Sequence, residues 1–190
     1  MISIIGIGFP ASRLAQKFVS VKNYKVYQLN DKVERNSKYK RKIKSFEGPE
    51  EYENNIPDLK KFFSEITDRI QVFVVGSSMS SNYSLGVLEQ LKDKQVDVFY
   101  IKPDSELLTG IPKLVDKVVF SVLQEYARSG LLKSLTVISN ELLENHLGSV
   151  PIKKYYDTLN ESIFQTVHYL NFFEHNEPEI GMVSKPLDVC

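Results

Sequence analysis

The chain has 190 residues, 24 basic and 24 acidic side chains and 42% hydrophobic residues. That length suits one domain, or two small ones, with a sizeable core, and zero net charge excludes a protein that holds nucleic acid through overall charge. A single cysteine, Cys190, excludes an internal disulfide and a thiolate metal cluster, and three scattered histidines add no metal site.

The opening residues lack a leader pattern, and no run of about 18 apolar residues occurs, so the chain reads as soluble, cytoplasmic and without a membrane partner. A first strand is predicted over 2–7; it carries no charge, which places it inside a sheet. Directly after it, Gly6-Ile7-Gly8-Phe9-Pro10-Ala11 matches G-x-G-x-x-A and opens a helix over 11–20, with Asp31 about twenty residues further on. By itself this is a dinucleotide fingerprint, in which backbone amides approach a diphosphate and the acid holds a ribose. Pro10 removes one donor from such a cradle.

A second strand is predicted over 25–29. Residues 31–53 follow, with Lys32, Arg35, Lys38, Lys40, Arg41, Lys42 and Lys44 ahead of Glu47, Glu50, Glu51 and Glu53. This segment reads as a solvated loop, or else as a contact for phosphates or an acidic partner. A helix is predicted over 56–65 and a third strand over 71–75. Gly76-Ser77-Ser78-Met79-Ser80-Ser81-Asn82 then leads into a helix over 80–92. Amides, hydroxyls and the helix dipole favour an anion there; the same serines could equally cap the helix. No Gly-Lys-Ser/Thr occurs, so the loop is not a Walker A motif.

The fourth strand, 96–101, runs into Lys102-Pro103-Asp104, and a helix over 113–132 follows. The fifth, 134–138, runs into Ser139-Asn140-Glu141. After Pro151 a helix over 152–173, about 33 Å long at 1.5 Å per residue, is apolar on more than one side and so should have more than one partner. Asn140 and Asn160 each offer a donor and an acceptor, which suits a purine edge. Tyr156, one turn before Asn160, could stack on the same base. Local alternatives exist for all three: a cap, a buried amide and a core contact. Alternating strand and helix imply an α/β, three-layer parallel sheet with helices on both faces, ending in the long helix.

The order of these pieces resembles the tubulin/FtsZ superfamily. ISNELL at 138–143 and YDTLN at 156–160 resemble tubulin's Asn-Glu-Ala-Leu and Tyr-Gly-Asp-Leu-Asn segments. Gly8-Phe9-Pro10-Ala11-Ser12-Arg13-Leu14-Ala15 is a degenerate form of its Gly-Gln-Cys-Gly-Asn-Gln-Ile-Gly. The resemblance implies a Rossmann-like nucleotide-binding domain over 1–150, a central helix over 151–175 and a tail over 176–190, with the family's second domain absent. It implies a divergent GTP-binding protein of a cytoskeletal filament, of phage or plasmid type, taking GTP or GDP with magnesium bound through the nucleotide. Head-to-tail self-association would follow where the full family architecture is present.

Roles carry over by position. Asn140 and Asn160 would contact guanine or its ribose edge, with Tyr156 stacked on the base. Gly8, Ser12, Gly76, Ser77, Ser78, Ser80, Ser81 and Asn82 would surround the phosphates, and Lys102 and Asp104 would stand at the ribose loop. Asp188 is the catalytic candidate, an acid presented to the neighbouring subunit, so a GTPase by resemblance should be nearly inactive as an isolated chain. The family's glycine-rich phosphate signature is reduced to Gly76, and each lost glycine adds a Cβ where backbone must approach phosphate. Two other readings stand beside this one: a non-catalytic tubulin-like interaction module, and an unrelated dinucleotide-binding domain using GIGFPA and Asp31.

Overall fold

The computed structural model describes residues 1–148 and 150–175. Six strands form one sheet: β1 (Ile2–Ile7), β2 (Tyr24–Asn30), β3 (Lys40–Lys42), β4 (Arg69–Val75), β5 (Gln95–Lys102) and β6 (Ser134–Ser139). All neighbours are parallel, in the order β3-β2-β1-β4-β5-β6. The uncharged β1 lies in the interior between β2 and β4, as expected from its composition. The helices are α1 (Phe9–Gln16), α2 (Pro49–Asn54), α3 (Tyr83–Glu89), α4 (Gly110–Arg128), α5 (Asn140–Leu147) and α6 (Tyr155–His175).

Strand alternation divides the core in two. Ile2, Ile4, Val26, Phe73 and Phe99 pack with Leu14 and Phe18 of the α1 segment and with Ile163 and Val167 of α6. Ile5, Ile7, Val72, Val74 and Val98 face the other way, toward Tyr52 of α2, Val87 of α3 and Val115, Val119 and Leu123 of α4. The result is a three-layer α/β architecture ending in a long helix. Gly6 is obligatory to it, because a Cβ there would meet the backbone of Ala11 and Ser12 where α1 crosses β1.

Two expectations fail. No helix forms over 56–65; the segment is a run of turns that still buries Leu59 and Phe63. Pro57 interrupts the helical ladder, and Gln90 takes over the backbone groups, accepting from Leu59 N at 2.9 Å and donating to Pro57 O at 3.1 Å. The apolar spacing was core-facing without being helical. Residues 31–53 are not all loop either. β3 pairs with the end of β2, and α2 starts at Gly48, whose amide donates to Glu51 Oε2 at 3.1 Å. Tyr52 of α2 is buried, and its hydroxyl donates to Phe46 O and accepts from Phe46 N. Smaller shifts are a 3-10 turn over Met79–Asn82 ahead of α3 and another over Ile152–Lys154 ahead of α6.

Candidate functional site

In a parallel sheet the loops at the carboxyl ends of the strands make the natural crevice. What closes it here is the pairing of α1 with α6. Arg13 Nη2 meets Asp157 Oδ1 at 2.6 Å and Lys17 Nζ meets Glu161 Oε2 at 2.8 Å. Four residues separate the partners on each helix, in the same chain direction, so the two helices run parallel and both N-termini stand at the carboxyl edge of the sheet. Exposed pairs of this kind contribute only ~0–1 kcal/mol each, so their use is orientation. The Lys17 ammonium also holds the Glu161 carboxyl below its ordinary value.

Between the helix N-termini lies a cavity of about 530 Å³, inside the usual range of roughly 300–1,000 Å³ for small-molecule sites. Val75 and Ile101, at the ends of β4 and β5, contribute to its lining with Ile163. Phe9, Pro10 and Leu14 form one wall; Tyr155, Tyr156, Leu159 and Asn160 form the other. Its polar lining includes Ser77, Ser78, Asp104, Asn140 and Glu144.

Six of the residues singled out in the sequence therefore meet in one cleft: Ser77, Ser78, Asp104, Asn140, Tyr156 and Asn160. Tyr156 is 66% exposed, with its ring edge-to-face against Tyr155 at 5.0 Å, so it is not a core contact. Asn140 is the first residue of α5, not its cap; Ser139 is the cap, its Oγ accepting from Leu142 N at 3.3 Å. Neither Asn140 nor Asn160 uses its side-chain amide in a hydrogen bond among the described residues, and neither is fully buried. Asp104 turns its Oδ1 to Glu106 N at 2.9 Å, holding the loop after β5.

The remaining candidates are placed otherwise. Gly76 is buried on the opposite side of β4, where a Cβ would collide with Asp116 Oδ1 and the Tyr100 hydroxyl. Its missing side chain makes room for the Tyr100–Asp116 hydrogen bond of 2.7 Å. That bond and burial push the Tyr100 phenol far above its ordinary value, burial being the larger cause. Lys102 follows Ile101, so strand alternation turns it to the α4 side, with its ammonium 5.0 Å from the Phe120 ring centroid. Ser12 is buried with its hydroxyl on Gly6 O at 3.2 Å, and Asn82 is spent within its own turn on Met79 O at 2.8 Å. Ser81 is fully buried, and its hydroxyl finds no partner among the described residues.

Gly8 and Ser80 lie against each other beside the cleft. Gly8 has φ +84°, and a Cβ on it would run into Ser80 Oγ, which is itself 2.8 Å from Ser78 Oγ. The serine-rich loop thus closes down on Gly8. Asp188 lies outside the described residues. Sequence reasoning missed Arg13, Glu144 and Tyr155 as parts of the cleft; Arg13 and Asp157 carried a signal only in their opposite charges, and those are 144 residues apart.

No family model and no curated protein matches the sequence. Among solved structures, an empty FtsZ dimer of M. jannaschii superposes with a TM-score of 0.74 at 13% sequence identity, over 95% of this chain. The chain spans 57% of the length of that FtsZ chain. The fold is thus shared at an identity too low to carry function. The chain has the FtsZ-like fold of that structure, in a divergent sequence.

Proposed function

We propose that this chain is a guanine-nucleotide-binding protein of FtsZ type, with the base held in the cleft between α1 and α6. The observation that carries this reading is the pair of uncommitted amides, Asn140 and Asn160, opening into one cleft with the exposed Tyr156 ring. Guanine presents adjacent donors and acceptors at its edge, which an amide matches with both of its functions. The apolar walls would cover its faces. The phosphates would lie toward Ser77, Ser78 and the N-termini of α1 and α6, where the helix dipoles favour negative charge.

The residues present fit a base better than a triphosphate. Among the described residues Arg13 is the one cation lining the cleft, and it is paired with Asp157, while Asp104 and Glu144 add negative charge. Bound GTP or GDP would supply the phosphates and bring in magnesium. The described residues include no group of three His, Cys, Asp or Glu side chains suited to hold a metal alone. No helix among the described residues is long and apolar enough to cross a membrane. Self-association into a filament belongs to the same proposal, supported by the dimeric state of the FtsZ structure. Hydrolysis would then need an acid from a neighbouring subunit, so phosphate release per molecule should vanish on dilution.

The test is a thermal-shift titration with GTP, GDP, ATP and NAD in the presence of magnesium. A ligand at 100 times its dissociation constant adds about 2.7 kcal/mol of stability. Guanine nucleotides should stabilise the chain above ATP and NAD; equal or greater stabilisation by NAD overturns the reading in favour of a dinucleotide domain. A second reading, an interaction module that binds no nucleotide, draws on the contact of Ser80 with Gly8. It predicts no shift with any of the four.

A further inference from the structure

On the far side of α1 from the cleft lies a second cavity of about 530 Å³, at the β2–β3 edge of the sheet. Gln28 and Asn30 of β2, Ser12 and Gln16 of α1, and Lys40 of β3 line it with the segment 32–35. Its charge is one-sided: Arg13, Lys32, Arg35 and Lys40 stand against the single carboxylate of Glu34. Arg13 is committed to Asp157, and Lys32 has Asp31 at 3.4 Å. Arg35 and Lys40 have no ion pair among the described residues. The parallel register sets Lys40 beside Gln28.

The polar strand positions are what make this more than a charged rim. Val26, Gln28 and Asn30 share one face of β2; Val26 joins the core, but the next two are amides, and Asn30 is only 4% exposed. Asn30 Oδ1 accepts from Lys32 N at 3.0 Å, which fixes the orientation of the amide and leaves Nδ2 without a partner among the described residues. Gln28 Nε2 donates to Gln16 Oε1 at 2.5 Å. Positive charge on a short edge strand can be explained as protection against strand-to-strand aggregation. That accounts for Lys40, Arg41 and Lys42 but not for a cavity lined by two amide side chains of β2 and two cations without an ion pair among the described residues.

We infer that this cavity is a binding site for a small phosphate ester or diphosphate, separate from the cleft. Arg35 and Lys40 supply the counter-charge, with the guanidinium fork matched to two phosphate oxygens, and Asn30 Nδ2 donates to a third. The cavity's size and the chain's zero net charge favour a small anion over a polymer. The two sites share Phe9 and Arg13, so α1 is a wall of both.

The test is titration of inorganic pyrophosphate into the ¹⁵N-labelled chain at physiological salt, following the side-chain amide signals of Asn30 and Gln28. A saturable shift of the Asn30 signals is expected. The variant Arg35→Ala/Lys40→Ala should weaken binding at least about tenfold, as loss of charge-assisted hydrogen bonds requires. The control Lys60→Ala/Lys92→Ala changes net charge equally at exposed positions outside the cavity and should leave the affinity within about twofold. No saturable shift up to about 10 mM, the limit of interest for a specific site, overturns the proposal. So does equal weakening in both variants, which would mean diffuse charge attraction only. The Asn30 signals report on this cavity alone, so the outcome is independent of whether GTP stabilises the chain.

Discussion

Gln71 of β4 and Asn171 of α6 exchange two hydrogen bonds across the sheet–helix interface, Nε2 to Oδ1 at 2.7 Å and Nδ2 to Oε1 at 2.9 Å. Both residues are buried. Asn171 Nδ2 also reaches Tyr24 OH at 3.2 Å, and that hydroxyl lies 3.0 Å from His168 Nδ1. A reciprocal amide pair is satisfied in one helix register only. It therefore sets how far α6 slides along the sheet, and with that where Tyr156 and Asn160 stand at the other end.

Asn171→Leu leaves the Gln71 amide buried and unpaired, which should cost about 1–3 kcal/mol. Gln71→Leu/Asn171→Leu removes both partners and should cost clearly less than the sum of the single variants. Urea unfolding of the three variants measures this. Additive losses would mean that the two amides do not depend on each other.

Asn160→Leu keeps the side-chain volume and removes donor and acceptor together. If Asn160 reads guanine, GTP binding should weaken by about 1–3 kcal/mol, or roughly 5- to 150-fold, with little change in unfolding stability because the Asn160 side chain has no hydrogen-bond partner among the described residues. Calorimetric titration decides it. Equal affinity for GTP in both proteins makes Asn160 a bystander.

Ser80→Gly removes the hydroxymethyl group that presses on Gly8. It should raise the affinity for GDP severalfold and leave guanosine binding unchanged, since only the phosphates need that space. A parallel gain for guanosine would show that the loop acts on the whole cleft and not on its phosphate end.

Gly76→Ala places a methyl group into the Tyr100–Asp116 pair. The expected loss is about 1–3 kcal/mol of stability, as in other overpacked cores. Nucleotide affinity should not move, because the missing side chain faces α4. A variant of normal stability that has lost nucleotide binding would restore Gly76 to the phosphate site.

Burial holds the His175 imidazole below its ordinary pKa; Arg69, Lys133 and the chain's amino terminus act in the same direction, and Glu174 opposes them. The folded state therefore prefers the neutral ring. Its contribution is full above the unfolded value, near 6.5 for histidine, and is lost as pH falls toward the lower folded value. Melting temperatures from pH 7.5 down to about 5.5 should fall more in the wild type than in His175→Gln. Parallel curves would remove His175 as a cause of acid destabilisation.

The strands β1, β2, β4 and β5 were legible because each is a short apolar or β-branched run, and burial on both faces of a parallel sheet demands such runs; β6, at the sheet edge and without a buried residue, was legible from its β-branched and apolar residues alone. β3 was not: Lys40-Arg41-Lys42 is three charges, and only its place at the sheet edge makes it a strand. The helix expected over 56–65 failed for a related reason, since apolar spacing reports what is buried and not which backbone groups are satisfied by Gln90.

At the site, residue types at the strand ends pointed to Asn140, Tyr156, Asn160, Ser77 and Ser78, and the resemblance to the tubulin/FtsZ superfamily added Asp104; all six meet in the cleft. Lys102 could have been excluded by counting alternate positions along β5 from Ile101. Gly76 and Ser80 could not, because their surroundings come from Asp116, Tyr100 and Gly8, all distant in sequence. Periodicity, charge and composition are local properties, and they determined the layers of this protein and the chemistry at its strand ends. Which side chains face each other, which amides stay free and where the serine loop closes depend on contacts such as Arg13 with Asp157, 144 residues apart. Only packing in three dimensions decides those, because each such contact is chosen by the best joint burial of the whole chain.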